Sequence, residues 1–533
     1  MRPLRTTADI FIISLMSHLR SAYFNVARTT GHNLLIPVII GLIAFLALVF
    51  VFAPKHAVYA VILAPLALTI PLLVVPNPKV TRFLLFGLGL SLPFAHFVVV
   101  ILTAFGIQWN IQWANIFGGL LLLHLFIRVL IGNPLKLSPG LPWLGLFICA
   151  TFLAAFNFFN EPPEHANKFI NYEILLFLYV LLFLAITQVR TDSKHLLVIL
   201  KAMLALSAVV GLYGIYQLPA RYFGLPLADI RLTNPQYVPV KFVGEEAILN
   251  LARPNSIFSE PGFFGHYLVP LTAIGIILTI HRPRIFGSKI ILWLIVLSQV
   301  VSLAFTFSIG SYIAMGFIIL LMLLIEKGKG RTGVLAWIVF GIPIIFITFS
   351  IFELLTGYPV FTMSIERLFG LWKYMLGDIS YLIPFESAPL RLNASRIALE
   401  VFTTHPVNGV GLGLFGDFAQ YFVKTPINDL YCSPFSILLA ETGILGAFSL
   451  FGFWICTLRN VHKIIRKPFT VTRTSPDSDD GLAIVARLIF YLVLSELIFF
   501  HIDGFLFVPT LWYYLGLGNL VIIVARNRKP QTA

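Results

Sequence analysis

The stretch Lys289–Arg331, "KIILWLIVLSQVVSLAFTFSIGSYIAMGFIILLMLLIEKGKGR", sets the fold class. Two apolar runs, 289 to 305 and 309 to 325, are joined by Thr306, Phe307 and Ser308, and the basic residues stand at the two outer ends. Neither run alternates apolar and polar residues as a half-buried strand does, and each is close to the ~20 residues that cross a ~30 Å hydrocarbon core as helix. The short joint returns the second run beside the first. Lys289 and Arg331 then share one side, as basic residues of cytoplasmic loops do.

The pattern repeats along the chain. At 533 residues, 58% hydrophobic, 11% charged and with a mean hydropathy of +0.91, the protein is too apolar to be a set of water-soluble domains. Hydropathy gives about fourteen spans, centred on 34 to 53, 57 to 75, 83 to 104, 113 to 131, 141 to 158, 170 to 187, 195 to 216, 263 to 280, 289 to 305, 309 to 325, 333 to 354, 433 to 456, 483 to 501 and 506 to 525. We therefore expect an all-α, polytopic helical membrane protein with about twelve to fourteen transmembrane helices and two large extracytoplasmic loops.

A net charge of +14 would suit nucleic acid, but its placement argues for topology instead. Arg2, Arg5, Arg20 and Arg28 precede the first span, and Lys79/Arg82, Arg128/Lys136, Arg190/Lys194, Arg282/Arg284/Lys289, Lys327/Lys329/Arg331, the stretch Arg459 to Arg473 and Arg526/Arg528/Lys529 follow in alternate loops. All fall on one side if the N-terminus is cytoplasmic, so both termini are expected there and no nucleic-acid partner is expected. The opening segment "TTADIFIISLMSHLRSAYF" is too short to cross and reads as an interfacial amphipathic helix. Cys149, Cys432 and Cys456 lie in or beside spans without metal-ligand spacing, and a disulfide framework is not expected.

The expected organisation is an interfacial N-terminus (1–33), N-terminal spans (34–216), an outer loop (217–262) and central spans (263–355). A large outer loop (356–432) follows, then C-terminal spans (433–525) holding a basic cytoplasmic loop (457–482), and a tail (526–533). Polar residues collect in the two outer loops, which is where chemistry is expected. In the second, "SIERLFGLWKYMLGDISYLIPF" could lie along the membrane surface. "SAPLRLNASRIALEVFTTHP" reads as a helix capped by Ser387, with Pro406 just beyond its end. The literal G-x-G-x-x-G from Gly411 to Gly416 follows this helix rather than a strand, without any α/β pattern, so a dinucleotide site is not expected.

Three constellations could carry chemistry. In "RPNSIFSEPGFFGH", Arg253 to His266, Pro261 suits the first turn of a helix, and Ser259 or Glu260 could cap it. The helix N-terminus and the Arg253 guanidinium would together suit a phosphate, with the Glu260 carboxylate beside them; a capping box with one interfacial arginine is the plainer alternative. The second comprises Arg391, Arg396 and His405. Arg391 and Arg396, five residues apart, point about 140° away from each other on a helix. Arg396 has Glu400 one turn on and reads as a surface ion pair, which leaves Arg391 the better anion ligand, while His405 reads first as the end of the helix. The third is "INDLYCSPFSILLAETGILG", with Asp429 on the outer face and Glu441 inside an apolar run. A carboxylate there is costly unless paired, and Arg391 or another arginine is the expected partner. His96, His124, Glu173, Glu496, His501 and Asp503 are scattered, although Glu173 and Glu496 are compatible with a transporter.

In this order the boxes resemble the O-antigen ligase and polymerase family of bacterial membrane proteins. The matching residues are "R-x-x-S-x-F-S-E-P" at Arg253 to Pro261, "R-x-x-x-x-x-A-L-E-x-F-x-x-H-P-x-x-G-V-G-L-G-x-F" at Arg391 to Phe415, and "L-L-A-E-T-G-I-L-G" at Leu438 to Gly446. The resemblance implies a bacterial inner-membrane glycosyltransferase that takes an undecaprenyl-diphosphate-linked glycan on the outer face, with no metal, nucleotide or other cofactor. Membrane lipids and other polysaccharide-assembly proteins are the further partners it implies. Arginines would neutralise the departing diphosphate, and a carboxylate or histidine would take the acceptor's proton. Ligases of the family carry His-Asn where this chain has Cys432-Ser433, and often Ser-Arg-Gly where it has Ser308-Ile309-Gly310. Those departures favour an O-antigen or exopolysaccharide polymerase with Glu260 or Asp429 as base. Arg253, Arg391, Arg396, His405 and Glu441 would then bind substrate. A ligase, a transporter of polysaccharide or lipid-linked oligosaccharide, and an assembly scaffold stand as alternatives.

Overall fold

In a computed structural model the described residues are 77–104, 107–157, 163–230, 253–357, scattered positions from 359 to 373, 387–423, 433–466, 479–502 and 506–527. The expected N-terminal helix, the spans 34 to 53 and 57 to 75, and Asp429 and Asp503 lie outside them. Fourteen α-helices occur among these residues: α1 Pro78–Ser91, α2 Trp113–Leu130, α3 Leu141–Leu153, α4 Pro163–Thr187, α5 Ser193–Phe223, α6 Pro261–His281, α7 Lys289–Phe305, α8 Ile309–Ile325, α9 Lys329–Thr356, α10 Ser387–Thr404, α11 Phe415–Ala419, α12 Pro434–Arg466, α13 Asp479–Ile502 and α14 Pro509–Asn527. Seven are long and apolar enough to cross a membrane (α2, α4, α5, α6, α9, α12 and α13), and the segments of α3, α7 and α8 are apolar but shorter. The chain is a helical, membrane-embedded protein.

Three expectations need correction. The span 83 to 104 is not one helix: α1 stops at Ser91, a 3₁₀ turn holds Pro93, and Val98–Ala104 (β1) pairs antiparallel with Ile107–Gln112 (β2). Proline lacks the amide a continuing helix needs, and the β-branched run after it favours extended backbone. This hairpin is the one strand pair among the described residues, which are otherwise helical as an all-α fold requires. Residues 217–223 of the expected outer loop are the last turns of α5, where Gln217, Leu218 and Ala220 are buried before Gly224 ends the helix in the left-handed conformation. Likewise 457–466 of the expected basic loop continue α12, because Thr457, Val461 and Ile464 keep an apolar face buried.

The helices gather into one core in which α6 is enclosed on nearly all sides, whereas α9 leaves most of its apolar surface, including Phe346, Leu354 and Leu355, exposed. Such a face suits lipid rather than water. The two ends of the bundle differ. At the basic end the Arg82 Nε donates to the Arg190 carbonyl at 2.9 Å, the Arg128 Nη1 donates to the Gln188 carbonyl at 2.6 Å, and Gln188 clasps the backbone of Lys136.

Also at this end, Glu326 beyond α8 meets Arg487 at 3.1 Å, the Tyr491 hydroxyl at 3.0 Å and His281 at 3.3 Å. Burial raises the Glu326 carboxyl, but the His281 hydrogen bond, the Arg487 charge and Tyr491 outweigh it and hold it below its ordinary 4.5. A depressed folded value contributes stability that is present above about pH 4.5 and lost as pH falls through the folded value. Glu326→Gln is therefore expected to lower thermal stability at pH 7 by about 1–3 kcal/mol and to flatten its acid limb, measured as melting temperature against pH in detergent.

Candidate functional site

At the opposite, loop-bearing end the Arg253 box folds into a turn fixed from beneath. Gln217, fully buried in the last turns of α5, accepts from the backbone N–H groups of Asn255 at 3.2 Å and Ser256 at 2.6 Å, and donates to the Ser256 carbonyl at 3.0 Å. The Ser256 hydroxyl donates to the Val210 carbonyl at 2.7 Å. Ser256 sits at φ 52°, where a residue with a side chain is uncommon, so the turn depends on these bonds rather than on local preference. Losing three bonds from one buried amide, Gln217→Ala is expected to cost about 2–4 kcal/mol, read as a lower unfolding temperature of the detergent-solubilised chain.

The turn carries two guanidinium groups. The Arg253 Nε donates to the Thr306 carbonyl at 3.2 Å, while the Arg253 carbonyl accepts from the Arg221 Nη1 at 2.8 Å. Arg221 also donates to the Asn255 side-chain oxygen and pairs with Asp229 at 2.6 Å. Positive charge is thus mounted just ahead of α6, which Pro261 opens after an extended Glu260 at φ −138° and ψ 151°. The expected cap is not made. The Glu260 side chain makes no capping bond, and the buried Ser259 hydroxyl has no hydrogen-bond partner among the described residues. Asn255 closes the turn instead, donating to the Phe258 carbonyl.

His405 of the second constellation and Glu441 of the third stand in one backbone lock. Helix α12 breaks at Gly443, where φ is 63° and ψ −169°, and such a break frees donors and acceptors that an apolar surrounding leaves unsatisfied. The glycine-rich loop answers them. Val410 and Gly411 each donate at 2.9 Å to the Ala440 and Glu441 carbonyls, and the Ile444 and Leu445 amides donate to the Pro406 and Val407 carbonyls at 2.9 and 3.2 Å. Approach this close requires glycine. A Cβ on Gly409 would lie 2.2 Å from the Glu441 carbonyl carbon, and one on Gly443 would lie 2.3 Å from the Val407 oxygen. Asn157 and Asn408 tie the same loop to the end of α3, through the Gly409 carbonyl at 2.5 Å and the Leu153 carbonyl at 3.0 Å.

Glu441 is held by this arrangement. Its buried carboxylate accepts from the Phe415 N–H at 3.3 Å and from the Gly413 N–H, within a loop whose Gly411 and Gly413 have φ of 111° and 76°. Backbone amides presented in this way form an anion-holding concavity, and among the described residues they are the carboxylate's hydrogen-bond donors. Lys168 adds charge nearby and pairs with Asp417 at 2.6 Å.

The remaining candidates fall as follows. Arg396 is 78% exposed and pairs with Glu400 at 3.1 Å, a surface ion pair. Arg391 is on α10, but its side chain lies outside the described residues. His405 ends α10: its carbonyl accepts from the Gly409 N–H at 2.9 Å, and its Nδ1 lies 2.9 Å from the Thr404 hydroxyl. Arg253 and Glu260 therefore stand on one turn at the start of α6, and His405 and Glu441 stand at the lock. Sequence reading missed Arg221, although Gln217 and Arg221 are one helical turn apart and extend α5 into the loop. It also missed Lys168 and Asp417, which nothing local connects. Among the described residues no three His, Cys, Asp or Glu side chains converge as a metal site needs. No family model matches the chain, and no curated protein matches it either.

Proposed function

We propose that the chain is a bacterial inner-membrane glycosyltransferase with about twelve to fourteen spans. It transfers or polymerises undecaprenyl-diphosphate-linked oligosaccharide units on the outer face, both termini being cytoplasmic. The observation that carries this reading is the Arg253 turn. Two guanidinium groups, that of Arg221 paired with Asp229, are held by part-buried polar bonds ahead of an α6 N-terminus whose N-cap residue, Glu260, makes no side-chain cap. Fixed positive charge at a developing diphosphate stabilises its departure, and an Arg fork suits phosphate oxygens. In this reading the lipid tail lies between helices and its headgroup reaches the turn. Glu260, at the N-cap, contributes a carboxylate beside the anion, and Arg391 belongs to the same outer-face region.

Two buried carboxylates support a second reading, a transporter of lipid-linked oligosaccharide. Glu173 accepts from Thr151 at 3.2 Å and Glu496 meets His266 at 3.2 Å, both inside spanning helices. Protein reconstituted with purified lipid-linked repeat units separates the readings. Longer glycan chains without movement of units between leaflets support the transferase, movement without chain growth supports the transporter, and transfer of glycan to lipid A-core supports a ligase.

A further inference from the structure

Resting on the transferase reading, we infer that His266 is the base that takes the acceptor's proton, with Glu496 as its positioning residue. His266 lies on α6 one turn beyond Gly262 on the same face, about 6 Å further from the helix start. Helical side chains lean towards the helix N-terminus, so the imidazole leans towards the start of α6, which the Arg253 turn precedes. The His266 Nε2 lies 3.2 Å from the Glu496 Oε2. The imidazole keeps 12% of its surface exposed against 3% for the carboxylate, so the ring is the accessible member of the pair. Phe499, one turn along α13 from Glu496, stacks on the ring at 4.3 Å and fixes its plane. The other carboxylate oxygen, Oε1, is buried with no hydrogen-bond partner among the described residues, which leaves Oε2 and its histidine as the carboxylate's described outlet.

A buried carboxylate that orients an imidazole and stabilises its protonated form is the arrangement general-base catalysis uses. In the step, the acceptor hydroxyl gives its proton to the His266 imidazole as its oxygen bonds to the donor's anomeric carbon. The bond from that carbon to the phosphate oxygen breaks, and undecaprenyl diphosphate leaves with the electron pair. The imidazolium then returns its proton to water. This assigns the base to neither Glu260 nor Asp429. It also gives a role to a histidine that closes the arginine box in sequence, half-buried just after the buried Phe264 and Gly265.

The test uses the full chain in lipid nanodiscs, with undecaprenyl diphosphate as binding probe and purified lipid-linked repeat units as substrate. H266Q and E496Q are expected to fold and to bind undecaprenyl diphosphate as wild type does. The expected kcat is about 100-fold lower for H266Q and about 10-fold lower for E496Q, with KM for the donor unchanged. Folded H266Q or E496Q with kcat within threefold of wild type overturns the inference, as does probe binding lost in step with turnover. If H266Q does not fold, E496Q decides alone. If neither folds, the pair is an interhelical strut and the inference is overturned. Wild-type protein that neither binds the probe nor extends glycan sinks the transferase reading itself, whereas an active wild type beside an equally active H266Q sinks only the assignment of the base.

Discussion

Gly409→Ala is expected to remove most folded protein from the membrane. Gly409 has φ 71°, and an added Cβ would lie 2.2 to 2.4 Å from the Glu441 carbonyl carbon and oxygen and the Thr442 nitrogen. Those atoms are backbone at the α12 break, so no rotamer change relieves the overlap and the loop must withdraw. Withdrawal opens the four loop-to-helix bonds around Gly443 and takes the amides away from the Glu441 carboxylate. At about 1–3 kcal/mol for each buried group left unsatisfied, the loss exceeds about 5 kcal/mol, which is comparable to the whole stability of many domains. Gly119→Ala is the control: its Cβ would meet nothing within 4 Å, and the site is helical. Yield of monodisperse protein after detergent extraction should collapse for the first variant and hold for the second. Equal yields would mean that the lock does not hold the outer loop to α12.

That lock shows where legibility in the sequence ends. Helix boundaries inside apolar runs were readable because hydropathy is a local property, and 289 to 305 and 309 to 325 are the bounds of α7 and α8. Pro93 and the valines after it were equally visible, yet a hydropathy window averages them into a span, which is why the β1–β2 hairpin was missed. The glycines of the 405 to 416 loop were readable as a turn. Their reason was not, because the break they serve lies some thirty residues on and is made by backbone groups that leave no signature in side-chain type. Glu441 was rightly recognised as costly, and its partners escaped notice for the same reason, being amides. The Arg253 box was the most legible part of the candidate site, since Pro261, Asn255 and Arg253 act within a few residues of one another. The bonds that fix it come from Gln217 and Arg221, 38 and 32 residues away.

Arg253→Ala should cut glycan elongation by about 100- to 1,000-fold while the chain stays folded and inserted, the scale expected for losing one preorganised group at a developing anion. The Arg253 Nε donates to the Thr306 carbonyl, whereas the turn's shape depends on Gln217, Ser256 and Asn255. Removing the guanidinium takes charge from the start of α6 and leaves the bonds of Gln217, Ser256 and Asn255 in place. Arg253→Lys keeps the charge but loses the planar fork, so it should recover only part of the activity. Arg396→Ala serves as the internal comparison. Its side chain is 78% exposed and engaged with Glu400, a pairing on the order of 0.5 kcal/mol or less, and elongation should stay near wild type. Elongation is read as glycan length in reconstituted vesicles, alongside undecaprenyl diphosphate binding. The outcome that would reverse the assignment is full-length product from Arg253→Ala with shortened product from Arg396→Ala, because the donor's diphosphate would then sit over α10 rather than at the start of α6.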